Sequence, residues 1–204
     1  MPQSEVVVLA NSIKHGQHCV AGKCINTGQW IRPVSDLQGR ELSHQQARIQ
    51  NPHGTFNVKP LQKVRIGLDQ HAPLPHQPEN YLIDNTAWVQ NYSFSSDQLH
   101  TLLDSPVNLW GADNRVDYAE IVAGMHHIPQ SLYLVQVEDL YLYHNADGKR
   151  RASFSYEGIE YDLAATDPRF DDIVRDNLPT SGILCVSLGE PFQGHCYKLV
   201  ATIF

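Results

Sequence analysis

Val6-Val7-Val8-Leu9-Ala10-Asn11-Ser12-Ile13-Lys14, then Cys19-Val20-Ala21-Gly22, then Trp30-Ile31-Arg32-Pro33-Val34-Ser35 read as three short strands joined by polar, Gly-containing turns. Residues 5–10 are too uniformly apolar for a strand with one wet face, so the first strand is expected to be buried on both sides. The second and third form a hairpin around Asn26-Thr27-Gly28. Strand alternation puts Trp30, Arg32 and Val34 on one face, with Ile31 and Pro33 on the other.

Outward from this hairpin the pattern first collapses. Between Ser35 and Pro60, Gln, His, Asn and Gly dominate, with a short helix expected around Ser43–Ile49. Alternation returns at Gln62–Leu68 and Tyr81–Ile83. Ser95 and Gln98 form a capping box ahead of Leu99, Leu102 and Leu103, predicting a short helix that ends before Pro106. Val116–Val122 reads as strand, and Ser131–Tyr143 as the clearest long one, with Tyr133, Val135, Val137, Asp139, Tyr141 and Tyr143 sharing a face. Arg151–Tyr156 returns after the turn at Asn145–Lys149, and Ile159–Leu163 follows. Asp167 as N-cap with Pro168 at the first helical position predicts a helix that buries Phe170, Ile173, Val174 and Leu178. Ile183–Leu188 and Tyr197–Phe204 close the chain. A turn centred between Glu190 and Pro191 would set Cys185 opposite Cys196 as neighbouring, buried, unreactive free thiols.

Two sets of about five strands, each with a short helix, predict an all-β chain of two OB-like Greek-key barrels in tandem, tightly packed. The first is expected over 1–126 with its long loop excursion and the second over 127–204, the boundary falling near 124–131.

The 22 acidic and 15 basic residues give a net charge of −7, which argues against charge-driven wrapping of duplex DNA. The polar opening Met1-Pro2-Gln3-Ser4-Glu5 and the lack of any apolar run near the ~20 residues of a membrane span predict a cytoplasmic protein with no membrane partner. Of Cys19, Cys24, Cys185 and Cys196 none forms a Cys-x-x-Cys pair. His15-x-x-His18-Cys19 with Cys24 resembles a zinc cluster, but Cys19 and Cys24 have opposite strand parity, so no metal site is expected.

Several blocks, in order across almost the whole chain, resemble the bacterial dual OB-containing domain family. They are Val8-Leu9-Ala10-Asn11-Ser12 with Cys19-Val20-Ala21-Gly22, Gly28-x-Trp30-Ile31-Arg32-Pro33-Val34-Ser35 and His76-Gln77-Pro78-Glu79-Asn80. Thr166-Asp167-Pro168 and Leu184–Phe192 with Gly194-x-Cys196-Tyr197-Lys198-Leu199-Val200 complete the set. The resemblance implies two OB folds and a nucleic-acid or nucleotide ligand. The ending Thr202-Ile203-Phe204 departs from a plainer aliphatic close, which bears on packing only.

OB barrels hold single strands by stacking bases on aromatic residues and tracking the backbone with Lys or Arg. Trp30 and Arg32 fit that platform, with Lys14 and Lys23 flanking it; the alternative places Trp30 in a core and Arg32 on a loop carbonyl. Gln77, Glu79 and Asn80 offer two amides and a carboxylate in a Pro-bounded turn, able to read a base edge or to satisfy backbone groups. Thr166 and Asp167 are explained as a helix start. Ser187, Glu190 and Lys198 surround the last turn, where Lys198 is a candidate ligand contact and Glu190–Lys198 a candidate ion pair. No nucleophile elbow, carboxylate pair or phosphate loop occurs, so no catalytic residue and no cofactor are assigned. The expected function is non-enzymatic binding of single-stranded nucleic acid or a nucleotide-like small molecule, with a protein partner also open. The alternative is an enzyme acting on such a ligand between the barrels.

Overall fold

The computed structural model describes residues 3–14 and 16–204, without the side chains of Gln3 and Lys14. The chain divides into two compact units, Met1–Leu102 and Leu103–Phe204.

In the first unit, β1 (Gln3–Lys14), β2 (Gln17–Cys24), β3 (Trp30–Val34), β6 (Gln62–His71) and β7 (Asn80–Ile83) close a ring. The order around it is β1-β2-β3-β7-β6 and back to β1. Every pairing is antiparallel except β3 with β7. This is the five-stranded Greek-key barrel of the OB type. Because β1 pairs with β2 on one edge and β6 on the other, Val6–Ala10 are buried throughout, as their uniform apolarity predicts. Gly22 is required where β1 and β2 meet, since a Cβ there would collide with the Val7 carbonyl oxygen.

The 35–60 stretch is ordered differently from expectation. Ser43 and Gln46 exchange bonds, Ser43 N to Gln46 Oε1 at 2.9 Å and Gln46 N to Ser43 Oγ at 3.2 Å. That capped turn does not propagate as a helix. The chain instead enters the hairpin β4 (Arg48–Asn51) and β5 (Gly54–Asn57), which extends the sheet through β8 (Trp88–Ser93). A 3-10 helix, Ser96–Leu102, buries Leu99 and ends the unit. Trp88, Ile49, Leu42 and Val58 join the barrel core.

The second unit repeats the topology without repeating the residues. The long strand expected at 131–143 is β10 (Leu132–Gln136) and β11 (Glu138–His144), divided at Val137, whose N–H donates to Gly182 O at 2.9 Å. β10 pairs with β14 (Ile183–Phe192), and β11 with β12 (Arg150–Tyr156). The ring continues through β13 (Ile159–Ala165) and β15 (His195–Ile203) to β14, with β13 and β15 parallel. Two OB-like barrels are therefore present.

Local departures have local causes. Residues 115–122 are not one strand. β9 (Arg115–Asp117) pairs with β15, and Asp117 then caps α1 (Tyr118–Val122) by accepting from Ala119 N and Glu120 N. That pairing places 103–126 with the second unit, whereas the sequence suggested a boundary near 124–131. Asp167 does not cap its helix directly. It accepts from Arg169 N and Ile203 N, both at 2.8 Å, and α2 (Phe170–Arg175) begins one turn later with Leu178 exposed beyond it. The closing hairpin turns at Gln193-Gly194, both with positive φ, so Cys185 faces Thr202 and Cys196 faces Pro191. The two thiols are buried and in reduced form but not opposed. Among the described residues no helix is long and apolar enough to cross a membrane.

Candidate nucleic-acid interface

The platform read from the third strand does not stand open. All of β3 is buried, and Trp30 is 5% exposed. Lys23 Nζ lies 5.3 Å from the Trp30 ring centroid and donates to Leu102 O at 2.6 Å. A base cannot lie flat on a ring so covered. Arg32 is equally enclosed. Its Nε approaches Glu79 Oε1 at 3.4 Å, and its backbone N–H donates to Glu79 O at 2.9 Å.

Gln77, Glu79 and Asn80 do gather with Arg32, at the start of β7, as one buried polar cluster. Leu74 and Gln77 exchange backbone bonds across the loop, and Asn80 Nδ2 donates to Gln77 Oε1 at 3.3 Å. Gly39, at φ +80°, packs so closely that a Cβ would stand 2.9 Å from Asn80 Nδ2. These residues hold the loop between β6 and β7 against the 35–40 segment. Asn80 Oδ1 is a buried acceptor with no hydrogen-bond partner among the described residues. The side chain of Lys14 lies outside the described residues.

Lys198 also points inward. It is 2% exposed, with Nζ donating to Gly111 O at 2.6 Å and standing 5.2 Å from the Tyr161 ring centroid. Tyr161 Oη donates to the same carbonyl at 3.0 Å, so the pair fixes the 109–114 loop. Burial lowers the Lys198 pKa to about 8, against the opposing pull of Asp113. It anchors that loop through Gly111 O, and the residue also lines the groove described below.

The open aromatic surface lies on the second barrel. The ladder has an irregularity between Glu138 and Tyr141, where Asp139 takes φ +52°. Before it, Tyr133, Val135 and Val137 point into the core; after it, Leu140 and Leu142 do. The exchange turns Tyr141 and Tyr143 outward. Their rings stack 5.5 Å apart at 16°, and Tyr141 is 65% exposed.

Register carries this surface across the sheet. Tyr143 faces Arg151, Arg151 faces Ala164, and Ala164 faces Leu199. Three strand spacings make the row about 14 Å wide. Arg151 binds Asp162 through two bonds of 3.1 Å, and Tyr143 Oη donates to Asp162 at 3.0 Å. Beyond them a shallow, largely apolar groove of about 370 Å³ reaches Tyr197 and Phe192, the latter 62% exposed. These two rings lie 6.4 Å apart, with Arg115 5.8 Å from the Tyr197 ring centroid. The face thus carries aromatic pairs at both ends and an arginine between them. It occupies the barrel strands that OB folds use for oligonucleotides.

The sequence model of a family described as the dual OB-containing domain matches residues 4–203, and the chain belongs to that family. No curated protein and no solved structure matches it. Membership agrees with the two barrel topologies and suggests a binding-type role.

Proposed function

We propose that this member of the dual OB-containing domain family binds single-stranded nucleic acid, with the outer face of β11, β12, β13 and β15 as its stacking surface. The observation that carries this reading is the stack of exposed Tyr141 on half-buried Tyr143, set across the sheet from Phe192 and Tyr197. Aromatic faces accept any base, and stacking contributes about 1–3 kcal/mol per base. Arg151 is neutralised by Asp162, and the chain carries −7 overall, so few phosphates are gripped. The affinity therefore rests on bases more than on backbone charge. Duplex DNA, whose bases are already stacked, is a poor ligand for such a face.

Fluorescence anisotropy with a labelled single-stranded oligonucleotide tests this. Tyr141→Ala should weaken binding about 5- to 150-fold, matching the stacking energy, while the melting temperature stays put. The dependence of log K on log salt should have a slope of about −1 or shallower, since single strands give about −0.7 per neutralised phosphate. Unchanged affinity in the variant, or equal binding of duplex, would remove this face from consideration.

A further inference from the structure

The first barrel carries a separate, preformed cleft of about 640 Å³, within the size range of small-molecule sites. One wall is a single face of the β4–β5 hairpin. Arg48 and Gln50 are two residues apart on β4, Thr55 is paired directly with Gln50, and Arg48 Nη2 donates to Thr55 O at 3.0 Å. The opposite wall is the turn between β7 and β8. Thr86 is held there by Asp84 Oδ1, at 2.9 Å from its N–H and 2.6 Å from its hydroxyl. The same hydroxyl bond, the largest cause, keeps the Asp84 carboxyl below its ordinary pKa. Asn85 projects from this turn at φ +60°. The bonded Ser43–Gln46 turn closes one end, and buried Ile83 and Trp88 form the floor.

The lining chemistry is selective. Among the described residues no carboxylate lines this cleft, although the chain holds 22 acidic residues against 15 basic ones. Instead it offers the amides of Gln45, Gln50 and Asn85 beside the lone guanidinium of Arg48. Each amide presents a donor and an acceptor side by side, the pattern that matches the edge of a nucleobase. A guanidinium matches a phosphate in the same planar, two-point manner. One cation serves one phosphate and cannot track a backbone.

We propose that this cleft binds a free mononucleotide, its base read by Gln45, Gln50 and Asn85 and its phosphate held by Arg48. The site is independent of the stacking face on the second barrel and stands whether or not that face binds a strand.

Isothermal titration with the four ribonucleoside 5′-monophosphates, and with neutral sugars as comparison, decides the matter. Saturable binding of at least one monophosphate is expected, weakened at least tenfold by Arg48→Gln. Asn85→Gly provides a variant that keeps the fold, because glycine accepts the positive φ while the amide is lost. It should weaken binding severalfold and shift base preference at an unchanged melting temperature. The proposal is overturned if no monophosphate binds at millimolar concentration, or if sugars bind and nucleotides do not. It is equally overturned if binding survives Arg48→Gln and is lost in Tyr141→Ala, which would assign the nucleotide to the second barrel.

Discussion

Lys198→Met separates the charge of a buried lysine from its shape. In the native protein the ammonium is enclosed in the second barrel, bonded to Gly111 O at 2.6 Å, with its pKa lowered from 10.5 to about 8 by burial. That lowering corresponds to roughly 3 kcal/mol of charge-burial cost. The sign follows from proton counting. Between about 8 and 10.5 the unfolded chain binds the proton that the folded chain has released, so stability from this group rises with pH. Below 8 the full cost is present; above 10.5 it is gone. Methionine fills a similar volume without charge, and Gly111 O keeps the 3.0 Å bond from Tyr161. Urea unfolding of both proteins from pH 7 to 10.5 should show wild type gaining roughly 3 kcal/mol relative to the variant across the range. The comparison cancels other groups that titrate there. A difference that stays flat with pH would falsify the desolvated ammonium and make Lys198 an ordinary solvated lysine.

Trp30→Ala should destabilise the protein by about 3–5 kcal/mol, as expected for a buried aromatic, and chemical denaturation will show it. An unchanged midpoint would return Trp30 to the surface. His18 is buried between Asn11 Oδ1 at 2.9 Å and His44 Nδ1 at 3.2 Å, and burial, then His44, lower its pKa below 6.5. Stability should therefore fall as pH drops below 6.5, and His18→Gln should flatten that limb of the denaturation profile. Burial pushes the Cys196 thiol up to about 12. Alkylation followed by mass spectrometry should label half-buried Cys19 first and Cys196 only on unfolding. Early labelling of Cys196 would show that the closing hairpin opens locally.

Much of the barrel pair was legible in residue order. Unbroken apolarity at Val6–Ala10 specified a strand enclosed on both sides, and alternation at Gln62–Leu68 specified a half-buried one. Gly28 and Gly148 marked hairpin turns because positive φ favours glycine locally, whatever the rest of the chain does. The buried union of Arg32, Gln77, Glu79 and Asn80 was half visible: the residues stood out, but only the parallel pairing of β3 with β7 brings distant segments side by side. Which aromatic ring stands open was not legible. Trp30 and Tyr141 both sit on well-formed strands, and nothing local distinguishes the covered ring from the open one. An irregularity at Asp139, invisible to period-two counting, reverses the faces and turns Tyr141 and Tyr143 to solvent. A turn displaced to Gln193-Gly194 likewise moved Cys196 away from Cys185. Alternation is a property of neighbouring residues, so the sequence by itself determined most of the barrel strands and the barrel class. Register and burial depend on which distant strand lies alongside, so only the tertiary structure decided where a ligand can touch.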